Sequence, residues 1–354
     1  MTIKRIAVLT SGGDAPGMNA AVTAVVKTAA AMQWKVSGIN DGYDGLIDGH
    51  IHDLSPADVD HWPREGGTEL RSARSSRFMT IEGRAMAAQT LKECQGLVVI
   101  GGNGSLAGAR ALSKEHNISV VGIPASIDND LACTSYSIGV DTALNTITEA
   151  CDRISDTARS HRRAFIVEVM GRQCGYLAMA AGISCMADAV LFREQGKNQE
   201  QLISELRQVI RRAYLSSRNK RRVLIIKAEG VSVPTAALAA KLEETLQEDS
   251  GGATLRFTVL GHVVRGGRPS FRDRMVASRL GYAAVTALSQ GHSEVMVGWR
   301  PDEPGSIPFP DDPRIKMYTL DDVLARTENL LDGSHPTTIA RVQLLAKAQG
   351  ILTL

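Results

Sequence analysis

Short apolar runs recur along this chain, each followed by a turn and then a helix-length segment. KRIAVLT leads to a helix expected near Met18, and GLVVIGG to one expected near Ser105. SVVGI, AFIVEVMG, ADAVLF, RVLIIKAEG, TVLGHVV and EVMVGW repeat the arrangement. A strand that reads as an unbroken apolar run is buried on both faces, which calls for a mostly parallel sheet with helices on either side. The expected fold class is therefore α/β. Sheets of this kind bind ligands beyond the carboxyl ends of their strands. A chain of 354 residues is long for one core, so two lobes are expected.

Asp141 to His161 carries Leu144, Ile147, Ala150, Cys151 and Ile154 at spacings of three and four, the pattern of one long helix. A lobe boundary is expected just before it, near Ile138. Pro301 to Pro313 contains five prolines and reads as an irregular loop. Ser216 to Arg222, SSRNKRR, reads as a solvated basic turn.

Charge and composition narrow the function classes. A formal net charge of +2 makes no general case for nucleic acid or an acidic membrane surface. No apolar run approaches the ~20 residues of a membrane span, and the N-terminal run MTIKRIAVLT is too short for a signal-peptide core. The five cysteines, Cys94, Cys133, Cys151, Cys174 and Cys185, are scattered and lack metal-ligand spacing, which points to reduced thiols in the cytosol.

Three loops suggest chemistry. PASIDND places Asp128 and Asp130 directly after SVVGI. In an extended segment their side chains point the same way, and such carboxylates repel unless a metal or a proton transfer uses them. TSGGDAPGMN joins a strand to a helix, where Gly12 and Gly13 allow backbone amides to approach an anion at a helix N-terminus. A tight turn that merely needs glycine explains it equally well. It is not a Walker A loop, because no GK[ST] follows. IGGNGSLAGA is a second such turn, and Gly102, Gly104 and Ala107 weakly match the dinucleotide fingerprint GxGxxA. His161, Arg162, Arg163, Arg172, Arg256, His262 and Arg265 flank apolar strands. Each alone is best read as a surface charge, but their recurrence at strand ends suits phosphate, whose oxygens an arginine fork matches.

In order and spacing, TSGGDAPGMNA, GGNGS, IDND, DTAL, SHRR, VEVMGR, KAEG and TVLGHVVRGG followed by Asp273 and Arg274 resemble the ATP-type 6-phosphofructokinase family, the bacterial form in particular. The resemblance runs from Ile6 to about Gly298. It implies two Rossmann-like lobes, each a mostly parallel sheet flanked by helices, with the active site in the cleft between them. The nucleotide lobe would comprise 1–138 plus 265–318, and the sugar-phosphate lobe 139–264 plus 319–354. The implied reaction moves the γ-phosphoryl group of ATP to the 1-hydroxyl of fructose 6-phosphate, with Mg²⁺, in cytoplasmic glycolysis. The implied assembly is a homotetramer with sugar sites shared between subunits.

The resemblance also implies roles. Asp128 is the base for the 1-hydroxyl, supported by Ser126 and Asp130, and Arg172 stabilises the phosphoryl group in flight. Met170, Gly171 and Glu229 match sugar contacts, while His262 and Arg265 match 6-phosphate ligands. Arg163 and Arg256 match residues lent to that phosphate by a neighbouring subunit. Gly12, Gly13, Arg74, Ser75, Gly102, Asn103, Gly104 and Ser105 match the nucleotide site, and Asn103 and Asp130 the metal positions.

Some positions depart from the family. Asn103 replaces an aspartate that helps hold Mg²⁺, and a neutral carbonyl oxygen is a weaker ligand for a hard cation. Val264 stands where glutamine or leucine is usual. Thr23, His50 and Ser155 replace effector-site arginines, while Lys27 keeps its charge. Pyrophosphate-using relatives carry an aspartate and a lysine where this chain has Gly104 and Ala125. The small residues leave room for a nucleotide, so ATP is the expected donor. A pyrophosphate-dependent enzyme, a non-catalytic sugar-phosphate-binding subunit and a nicotinamide-dependent dehydrogenase are the alternatives.

Overall fold

The computed structural model describes residues 4–215, 220–246, 254–299 and 305–352. The chain divides into two compact units, Met1–Thr142 with Arg265–Asn329, and Ala143–Val264 with Leu330–Leu354. It begins in unit 1 with β1 (Arg5–Ser11), α1 (Met18–Ala31), β2 (Lys35–Ile39), α2 (Gly42–Asp48), β3 (Ile51–Leu54), α3 (Ile81–Thr90), β4 (Gly96–Gly101), α4 (Asn103–His116) and β5 (Val120–Pro124). The long helix α5 (Val140–His161) leads into unit 2, with β6 (Arg163–Val169), α6 (Tyr176–Ser184), β7 (Ala189–Leu191), α7 (Gln199–Leu215), β8 (Val223–Ala228), α8 (Thr235–Leu246) and β9 (Thr254–Val259). The chain returns to unit 1 with α9 (Phe271–Ser289), β10 (Val295–Trp299), β11 (Ile307–Pro308), β12 (Ile315–Thr319) and α10 (Leu320–Asp332), and α11 (Pro336–Leu352) belongs to unit 2.

The unit 1 sheet has the order β11-β12-β10-β5-β4-β1-β2-β3. Its centre, β10 through β2, is parallel, and β3, β12 and β11 are antiparallel additions at the edges. The apolar runs RIAVLTS, GLVVIG and VVGIP form the buried centre. Helix α9 comes close to α1 because Gly281 has no side chain, and a Cβ there would stand 2.6 Å from Ala24 Cβ. The edge strands have mixed composition, and IHDL of β3 is apolar only at its ends. The proline-rich loop also contains structure: β11 pairs with β12, which Pro308 tolerates because an edge strand needs no outward N–H. The described part of that loop starts at Gly305, and residues 216–219 of the basic turn and 301–304 lie outside the described residues.

The unit 2 sheet, β7-β8-β6-β9, is wholly parallel. The expected strand TVLGHVV is only half a strand. Leu260 N donates to Glu168 O at 3.0 Å, and Gly261, at φ +53°, then turns the chain into a short 3₁₀ helix over Gly261–Arg265.

The division of the chain differs from the expected one at two places, and both have a local cause. The first turn of α5 stays with unit 1 because Asp273, fully buried, accepts from Gly139 N at 2.9 Å, Thr142 N at 2.8 Å and Thr142 Oγ1 at 2.6 Å. Most of α10 stays with unit 1 because Leu320 and Val323 are buried, Thr327 Oγ1 accepts from Ala132 N at 3.1 Å and Asp321 pairs with Lys114 at 2.8 Å. Burial pushes the Asp273 carboxyl above the usual range, against the pull of its donors. Asp273→Ala orphans those donors and is expected to cost about 3 kcal/mol of stability in chemical denaturation. A loss below about 1 kcal/mol would mean that other groups satisfy them.

Among the described residues no helix is long and apolar enough to cross a membrane. The five cysteines are free thiols.

Candidate active site

In unit 1, the loops after β1, β4 and β5 meet, and these three strands are neighbours in the sheet. Gly12 has φ +90°, and a Cβ on it would lie 3.2 Å from Ser105 Oγ. Ala125 N donates to Gly101 O at 3.0 Å, and a Cβ on Gly102 would lie 3.9 Å from both Ala125 O and Ser126 Cβ. Arg265 Nη1 donates to Asp14 O at 3.1 Å and would stand 2.8 Å from a Cβ on Gly13. Arg265 is therefore part of unit 1 and packs on the first glycine turn.

Helix α4 starts at Asn103 rather than near Ser105. Its first amides lack intrahelical partners, and the positive end of the helix dipole faces the same place. That combination is an anion seat. A Cβ on Gly104 would meet nothing within 4 Å, so the seat is open there. Tyr43, which no sequence motif singled out, supports this turn. Its hydroxyl donates to Ser105 O at 2.6 Å, its ring stacks on Phe78 at 3.8 Å between centroids, and burial pushes the phenol pKa well up. Ser75 donates to Asp44 and accepts from Phe78 N at 3.0 Å. Arg74 is exposed.

The segment carrying the two carboxylates is a turn, not an extended strand, so the expectation that Asp128 and Asp130 point the same way by alternation fails. Asn129 sits at φ +48°, its N–H donates to Ser126 O at 3.4 Å, and its side-chain oxygen accepts from Ser137 N at 3.0 Å. Asp130 Oδ1 accepts from Ser126 Oγ at 2.7 Å. Asp128 is 4% exposed.

In unit 2, a second group gathers at the carboxyl ends of β6, β8 and β9. Glu229 N donates to Val169 O at 2.8 Å, and Glu229 Oε1 accepts from Arg172 N at 2.9 Å and Gly171 N at 3.3 Å. This carboxylate holds a turn that needs fixing, since Gly171 has φ +142° and Arg172 φ +47°. A Cβ on Gly230 would collide with the Arg172 carbonyl oxygen. Met170 is buried, Arg172 is exposed, and His262 is exposed on the short helix after β9.

Arg163 and Arg256 do not join this group. Arg163 opens β6, where it pairs with Thr254, and Arg256 lies opposite Phe165. Both belong toward the amino end of the sheet, with Arg163 about 20 Å from the carboxyl end of its own strand at ~3.3 Å per residue. Arg256 pairs with Glu243 at 3.3 Å. Three of the positions expected at an effector site have partners within the chain. Thr23 donates to Asn19 O at 2.9 Å and Val59 O at 3.1 Å, Lys27 pairs with Asp60 at 2.7 Å, and Ser155 accepts from Arg222 at 2.7 Å.

Among the described residues no cluster of three or more His, Cys, Asp or Glu side chains forms a metal cage. Asn103 Oδ1 is nevertheless buried without a hydrogen-bond partner, and Asp130 carries a carboxylate in the same unit. Mg²⁺ is commonly held by one or two protein oxygens plus substrate phosphates, so these residues fit a metal that arrives with a nucleotide.

The phosphofructokinase family profile matches residues 5–288. The chain is 49% identical over 297 residues to the ATP-dependent 6-phosphofructokinase of Thermotoga neapolitana, covering 83% of this chain and 89% of that protein. It is 48% identical over 299 residues to ATP-dependent 6-phosphofructokinase 1 of Thermus thermophilus, covering 84% and 89%. Among solved structures, Saccharomyces cerevisiae phosphofructokinase superposes with a TM-score of 0.83 at 35% identity, covering 97% of this chain and 50% of that one, so this chain spans about half the yeast chain's length. A pyrophosphate-dependent phosphofructokinase from Marinobacter aquaeolei superposes at 0.75 with 22% identity, covering 91% and 84%, a likeness of fold alone.

Proposed function

The chain belongs to the phosphofructokinase family, and from that premise we propose how it works. It is a 6-phosphofructokinase that transfers the γ-phosphoryl group of ATP to the 1-hydroxyl of fructose 6-phosphate, giving fructose 1,6-bisphosphate and ADP in glycolysis. The observation that carries this reading is the meeting of three loops at adjacent strand ends of unit 1, which puts two glycine turns suited to phosphate beside a loop with a buried carboxylate.

Phosphoryl transfer needs positioning and charge neutralisation more than covalent chemistry. Asp128 takes the proton from the 1-hydroxyl, and Ser126 and Asp130 hold its loop. The amides around Gly12, Gly13 and Gly102–Ser105 bind the nucleotide phosphates, with Arg74 and Ser75 beside the nucleotide. Asn103 and Asp130 would hold Mg²⁺, which would supply charge neutralisation to the nucleotide phosphates. Arg172 stabilises the group in flight, Met170, Gly171 and Glu229 orient the sugar, and His262 and Arg265 take the 6-phosphate. Arg163 and Arg256 serve the 6-phosphate of a neighbouring subunit, which their place toward the amino end of the sheet supports. The assembly is a homotetramer in the cytoplasm. Edge strand β9, with Phe257 and Val259 exposed, is the kind of edge that proteins cover.

The test of donor is a coupled assay with ATP and with pyrophosphate. ADP should form only when fructose 6-phosphate is present, and pyrophosphate should support negligible turnover. Turnover with pyrophosphate alone would overturn the reading. Gly104→Asp should raise KM for ATP about tenfold or more, since its carboxylate would repel the nucleotide phosphates. A Cβ at this position would meet nothing within 4 Å, so the fold should tolerate the change. Unchanged ATP kinetics would place the phosphates elsewhere.

Asn103→Asp should keep or raise activity and lower the Mg²⁺ concentration required, because a charged oxygen replaces a neutral one. Coincident Mg²⁺ titrations of the two forms would show that residue 103 is remote from the metal.

A further inference from the structure

Lys227 lies within the unit 2 sheet, 1% exposed, on a strand whose other residues, Val223 to Ile226 and Ala228, are apolar and buried. Its Nζ donates to Glu168 Oε2 at 3.0 Å and to Ala228 O at 3.4 Å. Thr235 Oγ1, at the start of α8, donates to the same carboxylate oxygen. Glu168 and Lys227 are partners in the register of β6 and β8. A buried ion pair adds little net stability, and an apolar pair of similar shape is often as stable or more so. Stability alone therefore does not account for a lysine here.

The pair does sit where the sugar-phosphate group begins. Val169 and Ala228 come next in the two strands, and Met170–Arg172 and Glu229 follow them. The Glu168 carbonyl accepts from Leu260 N at 3.0 Å, which fixes the exit of β9 toward His262, and Glu229 N donates to Val169 O at 2.8 Å. We propose that Lys227 is a positioning residue, clamping Glu168 and the Ala228 carbonyl so that three strands leave the sheet in the register that brings Glu229 under the Gly171–Arg172 amides. The lysine touches no substrate and acts through Glu168 and the backbone. The proposal rests on the assignment of that edge to fructose 6-phosphate.

The test compares the wild type with the double variant Lys227→Met, Glu168→Gln, which removes both charges together. Fructose 6-phosphate kinetics with ATP and the melting temperature are measured on each, with sugar-phosphate binding followed by calorimetry. The double variant should melt within a few degrees of the wild type, yet show a KM for fructose 6-phosphate raised about tenfold and a lowered kcat. Wild-type KM and kcat, or activity lost only in proportion to lost stability, would overturn the proposal. If the double variant does not fold, Lys227→Arg decides, because it keeps the charge opposite Glu168 but replaces the compact ammonium that reaches both Glu168 and the Ala228 carbonyl with a planar fork. It should raise KM about two- to threefold, and an unchanged KM would overturn the proposal. A wild-type enzyme that fails to phosphorylate fructose 6-phosphate would instead contradict the functional reading.

Discussion

Asp128→Asn is expected to lower kcat by about 10²–10⁴-fold, the usual contribution of general base catalysis, while fructose 6-phosphate binds nearly as before. The base acts in the transition state, so its loss appears in kcat rather than in ground-state affinity. Asparagine keeps the size of the side chain and one oxygen acceptor, so the buried turn around Asn129 should hold. The comparison is made by steady-state kinetics and by calorimetric titration of the sugar phosphate. A variant that kept more than about a tenth of wild-type kcat would assign the proton transfer to another group.

Restoration of activity by mixing two inactive variants is the second expected result. One variant carries Asp128→Asn, and the other carries Arg163→Ala with Arg256→Ala. If the two arginines serve a neighbour's 6-phosphate, neither variant alone has a complete active site: one lacks the base and the other the arginines. In a mixed, two-fold symmetric interface, one of the two sites combines an intact base with intact arginines. Random co-assembly should therefore return roughly a quarter of wild-type activity. The structure supplies the motive, because Arg163 opens β6 whereas Arg172 lies beyond its far end. Mixed assemblies confirmed by mass but still inactive would show that the arginines do not act across an interface.

What the sequence conveyed follows from what shapes each element. The central strands β1, β4 and β5 read as apolar runs because both of their faces are buried, and β6 and β8 do so apart from Glu168 and Lys227. The edge strands β3 and β11 did not, since their fit depends on a neighbour and not on their own composition. The helix α5 was legible from its spacing of three and four, but its attachment to unit 1 depends on Asp273, over a hundred residues later. The same limit applied at the site. Glycine turns and basic residues could be found by eye, but the arginines could not be sorted into the carboxyl and amino ends of one sheet. That required the register Arg163 to Thr254. The alternation argument for Asp128 and Asp130 failed because Asn129 adopts a left-handed conformation, which asparagine tolerates better than most residues. Tyr43 left no local signal, and Lys227, although it opens the KAEG motif, gave no sign of its partner, because each acts through a residue distant in sequence.

The central claim is that this chain phosphorylates the 1-hydroxyl of fructose 6-phosphate from ATP. Its most direct test is the stoichiometry of products from purified protein, with ATP, Mg²⁺ and fructose 6-phosphate, followed by phosphorus NMR. The account predicts one fructose 1,6-bisphosphate for each ADP, with both absent when the sugar phosphate is omitted. ADP released with inorganic phosphate and no bisphosphate, or a phosphoryl group found at another position of the sugar, would contradict it.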